Sequence, residues 1–363
     1  MKVLYIGNYR DGTGWANACI NNILAMDAAG IYVVPRAISF ENSDSNYPDR
    51  IKELEKRSNK DCNICVQHTL PHLYSYNSDY KNIGFLDVES YDFIDTGWQR
   101  HINLMDELWV PSEETKQCAE RSGVTVPIRI VPHSLDISKY DKPSGQLVEQ
   151  MLNSYTFGFV GEFIERKNLK ALIQAFHIEF DNTEPVSLFI KTSKVDITSL
   201  QSYCSQIKKG LKIRSSYKDE IVISGMMPRE DYISVLNQIN CFVMPSRGEA
   251  FCIPALEAMA LGKPVLYTEG IGMSYCVGDP VSSHSVPCFG ATDTIADLDT
   301  ANTTWLEIDV LELGKKMRKM YELANTEDFQ LSESNIAKAC KEKASLYDHK
   351  NIGIKIKEIL NDC

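Results

Sequence analysis

Short β-rich runs alternate with helix-length segments along this chain, and the alternation starts over halfway. The first series of strands is predicted at KVLYIGN (2–8), IYVV (31–34), CNICVQH (62–68), NIGFLDV (82–88), ELWVP (107–111) and IRIVP (128–132). Helical spacing fills the gaps; in WANACINNILAMDAAG, Ala16, Ile20, Ile23, Leu24 and Asp27 trace the turns and Gly30 closes the end. A second series follows at 155–161, 187–191, 220–225, 241–245 and 264–268, with helices at 168–180, 229–239 and 254–262. Strands separated by helices form parallel sheets with crossover connections. The polar stretch DISKYDKPSGQLVEQMLNS, with Pro143-Ser144-Gly145, is the best candidate linker between the two series. At 363 residues the chain suits two domains. We expect a first Rossmann-like domain over 1–145 and a second over 146–340. A helical tail over 341–363 is expected to be able to pack back on the first. Doubly wound sheets bind ligands outside the carboxyl ends of their strands, so function is expected in the loops after strands, in a cleft faced by both sheets.

Composition narrows the function. The net charge of −11 argues against a nucleic-acid or membrane-surface protein, which shows a basic face. The basic runs near 208–218 and 315–320 read as solvated helix faces, so nucleic acid is disfavoured though not excluded. No apolar run approaches the ~20 residues needed to span a bilayer. The N-terminus reads as a first strand and not a signal peptide. Eleven cysteines are scattered, several within apolar runs such as NCFVMP, and read as buried thiols of a reducing compartment. Cys62 and Cys65 form a C-x-x-C without a second pair at zinc spacing, and no metal site is expected. A cytoplasmic location is expected.

The segment PSRGEAFCIPALEAMALGKPV sets Glu249 and Glu257 on either side of Pro254. Pro254 suits the first helical position and Gly262 the helix end. The helix start then offers backbone N–H groups from Ala250 to Leu256 at the positive end of the dipole, which suits a phosphate. Glu257, one turn inside, can accept two hydroxyl hydrogen bonds, as a ribose diol offers. Glu249 stands before the turn, near whatever extends beyond the phosphates. An acidic residue near a helix N-terminus is also favourable by ~0.3–1 kcal/mol with no ligand at all. The pair alone therefore leaves both explanations open.

The run E-A-F-C-I-P-A-L-E resembles the E-x7-E signature of retaining glycosyltransferases of the GT-B fold. It is the large group 1 (family 4 type) family that includes sucrose synthase and bacterial mannosyltransferases. VGEFIERKNLKALIQAF is similar to that family's phosphate-binding segment, and ELWVPSEETKQCAERSGV with IRIVPHSLD to the end of its N-terminal domain. The likeness covers most of 84–268. It implies a GT-B fold, α/β with two Rossmann-like domains, and retaining transfer from a nucleotide diphosphate-sugar to a hydroxyl, without a cofactor or metal.

Carried onto matching positions, the resemblance gives Glu257 the ribose hydroxyls and Glu249 the transferred sugar, with the amides of Ala250, Phe251 and Cys252 near sugar and phosphates. Lys167 neutralises the diphosphate. Gly12, Thr13 and Gly14, in the loop after the first strand, lie beside the diphosphate or the acceptor. The strand end at Ser224-Gly225-Met226-Met227 touches the base. The family's Arg after the phosphate-segment glycine is Glu162 here, and its charge is expected from Arg166 or Arg247 instead. Where the family often has a strand-end histidine, this chain reads GFLDVES. Asp87 or Glu89 therefore takes that region, Glu89 as a catalytic candidate, with His68 and His72 on the loop after an earlier strand. The alternative from another class is a non-catalytic nucleotide-sugar-binding protein, and within sugar transfer it is a glycosyltransferase acting on modified DNA or protein. Donor base, sugar and acceptor stay open.

Overall fold

The structure is a computed structural model and describes residues 1–39, 47–294, 303–325 and 329–362; the side chains of 289–294, 303–304 and 329–333 lie outside the description. The chain forms two compact units. The first comprises Met1–Ile137 with Asp293–Thr304 and Leu346–Cys363, the second Ser138–Thr292 with Trp305–Ser345.

The first unit is built on β1 (Lys2–Gly7), β2 (Tyr32–Ala37), β3 (Ile64–His68), β4 (Lys81–Phe85), β5 (Glu107–Val110) and β6 (Ile128–Ile130), in the order β2-β1-β3-β4-β5-β6. All pairings are parallel. Every residue of β3 and β5 is buried, the polar Gln67, His68 and Glu107 included. Pro35 is accommodated because β2 is an edge strand, where a missing N–H costs no ladder bond. The helix Gly14–Ala28 packs against the chain's last helix, His349–Asn361. There Gly353 lies so close to the carbonyl of Ala25 that a Cβ would stand 2.1 Å from it.

The second unit holds β7 (Tyr155–Val160), β8 (Val186–Thr192), β9 (Ile221–Ser224), β10 (Cys241–Met244), β11 (Val265–Thr268) and β12 (Ser283–Val286), ordered β12-β11-β10-β7-β8-β9 and again parallel. The strand order reverses between β7 and β10, as it does between β1 and β3 in the first sheet. These are the switch points at which two successive loops part and leave room for a ligand. Three strands escaped the sequence reading: β12, with the short polar sequence SHSV, and Cys288–Thr294 and Thr303–Ile308, which pair with each other. The expected linker at Pro143-Ser144-Gly145 is not where the units change. The change falls between Ile137 and Ser138, and Gly145 and Gln146 are bonded to the helix Arg229–Gln238, through Ser234 Oγ to the Gly145 carbonyl (3.0 Å) and the Gln146 amide to Asp231 (2.9 Å). Among the described residues no helix is long and apolar enough to cross a membrane.

Candidate functional site

At the switch point of the second sheet, the loops after β7 and β10 bring Lys167 and Glu249 together. The chain leaves β7 at Val160, makes a 3-10 turn over Glu165–Lys167, and passes through Asn168, at φ 51°, into the helix Leu169–Glu179. From β10 it runs through Ser246 and Glu249 to Cys252, which takes φ 79° and caps the helix Ile253–Ala260. A left-handed non-glycine residue costs of order 1–2 kcal/mol and persists only where its surroundings fix it. The Glu249 backbone is fixed by the amide of Gly272, which donates to its carbonyl at 2.8 Å. A Cβ on Gly272 would stand 2.2 Å from the Ala250 carbonyl, so only glycine allows that approach.

The Glu249 carboxylate is buried and receives Lys167 Nζ at 2.7 Å and Ser246 Oγ at 2.5 Å, with Arg166 Nη1 3.4 Å away. Burial pushes its pKa up. The charges of Lys167 and Arg166 and the hydrogen bonds from Lys167 and Ser246 outweigh that, so the carboxyl is held below its usual range. Arg166 also donates to the Gly248 carbonyl at 2.7 Å, tying the two loops directly. The Cys252 thiol, pushed up to about 12 by burial and the Glu249 charge, stays protonated at neutral pH.

Two expectations change in detail. Pro254 occupies the second helical position, and the amides of Ala255 and Leu256 turn back onto the Cys252 carbonyl at 3.2 and 3.4 Å. Ala255 and Leu256 thus drop out of the amide-bearing stretch that the sequence suggested. Arg247, one of two candidates to replace the charge lost at Glu162, is committed to acidic partners: its Nε donates to Glu307 at 2.7 Å and its Nη1 to Glu165. Arg166 is the arginine that reaches Glu249. Glu162 is half-exposed, 3.9 Å from the Lys194 ammonium.

Glu257 is buried and already well supplied with donors. Tyr140 Oη donates to Oε1 at 2.9 Å, Tyr232 Oη to Oε2 at 2.5 Å, and Arg229 Nη2 to Oε1. A carboxylate has about four lone-pair directions, which leaves one acceptor position on Oε2. The loop after β9 holds Gly225 at φ 96° and an exposed Met226, and the Gly225 carbonyl accepts from Lys191 Nζ at 2.7 Å.

In the first unit, Gly12 takes φ 73° and Thr13 caps the helix Gly14–Ala28, accepting from the Ala16 amide at 3.2 Å while its own amide and hydroxyl bond Asp11. A Cβ on Gly14 would meet open space. Below this loop lies a cluster the sequence did not disclose. Asp87 accepts from His68 Nε2 at 2.7 Å and His133 Nε2 at 2.8 Å. With both Nε2 atoms donating, each Nδ1 accepts: from the Tyr5 hydroxyl at 2.6 Å and the Asn22 amide at 3.1 Å. Burial opposes ionisation of Asp87, but the two imidazoles prevail and hold its pKa below the usual range; burial holds His68 below its own. His133, Tyr5 and Asn22 come from separate elements and carry no motif, so only the fold assembles them. Glu89 follows two residues after Asp87, half-buried, while His72 is exposed on the 3-10 turn Pro71–Leu73. Among the described residues, His68, Asp87 and His133 are the group whose donor atoms (all within 4.8 Å) could surround a metal ion, though their hydrogen bonds to one another use the same atoms.

Two parallel six-stranded sheets with covering helices and a helical C-terminal end define an α/β protein of the GT-B class. The fold is shared with the Anabaena protein HepE, crystallised with UDP and glucose, at a TM-score of 0.70 and 12% identity over 100% of both chains. Sucrose-phosphate synthase of Thermosynechococcus elongatus gives 0.66 at 13% identity, covering 100% of this chain and 98% of that one. Residues 149–298 match the family described as glycosyl transferases group 1, which bears out the resemblance read from the E-x7-E and phosphate-segment motifs. Among curated relatives, the mannosyltransferase WbdA of Escherichia coli is 30% identical over 107 residues, 28% of this chain and 12% of that protein. The capsular polysaccharide glycosyltransferase CapM of Staphylococcus aureus is 26% identical over 162 residues, 44% of this chain and 40% of that protein. The matched stretches thus span well under two thirds of these relatives.

Proposed function

We propose that this protein transfers a sugar from a nucleotide diphosphate-sugar donor to a hydroxyl acceptor, with retention at the anomeric carbon. The observation that carries the reading is the buried Lys167–Glu249 pair at the β7/β10 switch point, inside the segment that matches glycosyl transferases group 1. The names of the relatives support sugar transfer, and the UDP and glucose bound by HepE support the donor class.

In this reading the leaving diphosphate gathers negative charge as the glycosidic bond breaks. Lys167 and Arg166 supply fixed positive charge there, and the amides of Ala250–Ile253 add dipoles. Such groups cost no reorganisation at the moment of reaction, and they can do this work without a divalent ion. Glu249, kept ionised by its cations, faces the sugar, whose anomeric carbon passes through an oxocarbenium-like state. The departing phosphate oxygen takes the acceptor's proton on the face it leaves, which gives retention without a protein nucleophile. Glu257 holds a ribose hydroxyl through its remaining acceptor position. Gly225 and Met226 serve the base. Buried free thiols and the acidic balance fit a cytoplasmic enzyme.

A thermal-shift panel of UDP, GDP, ADP and TDP with their sugars tests the donor class, followed by NMR of the anomeric signal for transfer or slow hydrolysis. One base is expected to raise the melting temperature selectively, and the matching sugar donor to be consumed. Absence of a shift with every nucleotide overturns the reading; a shift without transfer or hydrolysis leaves a non-catalytic binder.

A further inference from the structure

Lys191 lies near the carboxyl end of β8 and is 7% exposed. Its ammonium has three N–H groups and two acceptors, the carbonyls of Thr192 at 2.9 Å and Gly225 at 2.7 Å. Among the described residues no carboxylate pairs with it, and burial alone drives its pKa down. The same unit treats its other withdrawn lysines differently. Lys208 is paired with Glu220 at 3.0 Å and Asp219 at 3.1 Å. Lys218, which also bonds two carbonyls, has the charges of Glu184 and Asp181 beside it. A buried cation without a counter-charge is costly, and a hydrophobic side chain of similar length would fill that place more cheaply. A charge kept there is explained by an anion that arrives from outside.

Its position says which anion. In the sheet, Lys191 is in register with Val160 of β7 on one side and Ile223 of β9 on the other. The Gly161 amide, first residue after β7, donates to the Lys191 carbonyl at 3.1 Å. Along the carboxyl edge, in the order β10-β7-β8-β9, the chain therefore presents Glu249, then Lys167, then Lys191, then Gly225. Lys167 stands beside the sugar-facing carboxylate and Gly225 at the base side, so Lys191 falls between them. Glu162, on the loop between β7 and Lys167, adds no positive charge there.

We propose that Lys191 binds the phosphate nearest the nucleoside in a nucleoside diphosphate, an inference that rests on the donor reading above. The two carbonyls steer the ammonium, and the phosphate oxygen completes its third hydrogen bond and neutralises it. Binding should then be stronger for a diphosphate than for the bare nucleoside by a margin that depends on this one side chain.

The test uses the full chain and compares Lys191→Met with Lys191→Gln, whose amide can still donate to the Gly225 carbonyl without a charge. Affinity for UDP and for uridine is measured by calorimetry and saturation-transfer NMR, or for GDP and guanosine if the panel selects guanine. The expected result is a loss of tenfold or more for the diphosphate in both variants, with nucleoside affinity within twofold of wild type. Equal losses for diphosphate and nucleoside overturn the proposal, because Lys191 would then act only by shaping the Gly225 loop. Unchanged diphosphate affinity overturns it as well. If the wild-type protein binds neither diphosphate nor nucleoside, the donor reading itself fails, an outcome separate from the other two. Should Lys191→Met fold poorly, Lys191→Gln decides.

Discussion

Replacing Asp87 by asparagine keeps the shape of the first unit's buried cluster and changes its hydrogen-bond balance. The carboxylate accepts one N–H from His68 and one from His133, at 2.7 and 2.8 Å. An asparagine can accept one of them. Its amide group faces the other, donor against donor, in a buried place. The lost charge-assisted bond and the stranded donor each cost ~1–3 kcal/mol, partly offset by no longer burying an anion, so the net loss is about 3 kcal/mol. Three of the four tryptophans, Trp15, Trp98 and Trp109, lie in this unit and make fluorescence a selective reporter. With a urea slope of about 2 kcal/mol/M, the unit's midpoint should fall by roughly 1.5 M.

The acid response gives a second reading of the same cluster. Asp87 is depressed in the fold, so its stabilisation is present above the unfolded value near 3.9 and is lost as pH falls toward its lower folded value. His68 is also depressed, so the unfolded chain takes up its proton first. Stability therefore declines as pH drops below about 6.5. The wild-type unit should weaken from pH 6.5 downward and more steeply below 4, while Asp87→Asn loses the steeper part. A midpoint shift under about 0.3 M, or an unchanged acid limb in the variant, would refute the reasoning.

Two further outcomes follow from the geometry. Lys167→Ala removes the largest charge holding Glu249 ionised; donor turnover should fall by about 100-fold or more, with the circular dichroism spectrum unchanged. Turnover within threefold of wild type would take Lys167 out of the site. Gly353→Ala places a methyl group 2.1 Å from the Ala25 carbonyl, and forcing the two helices apart should cost about 1–3 kcal/mol in the first unit. Limited proteolysis and the tryptophan melt should both report it, and a melt within experimental error of wild type would show that the helices slide freely.

The strands that matter most were the easiest to see. YTFGFV and CFVM are almost wholly apolar, and each leads into a loop with glycine and charge. The separate segments carrying Lys167 and Glu249 were legible for that reason. Their bond was reachable only through the strand order, since β7 and β10 are neighbours in the sheet although more than eighty residues apart in sequence. Cys252 at positive φ could not be anticipated, because that conformation belongs mostly to glycine and asparagine and is imposed here by the surrounding turn. The occupied state of Glu257 was equally hidden: Tyr140 precedes it by 117 residues and reads as part of a polar link. His133 lies in a strand exit, VPHS, with nothing local to mark it as the partner of Asp87.

The last helix has a consequence for how the protein is made. Residues 346–363 belong to the unit that opens the chain: the Leu135 amide donates to the Tyr347 carbonyl at 2.8 Å, and His349–Asn361 lies along Gly14–Ala28. A ribosome finishes the opening strands and then adds roughly 200 residues before their cover appears, ~10–40 s at ordinary elongation rates. Throughout that interval the inner face of the first long helix is wet, while the second sheet can close on residues already synthesised. A nascent chain halted just short of the final helix would thus hold its later-made half finished and its earlier-made half waiting, and a stop codon there would leave that seam permanently open.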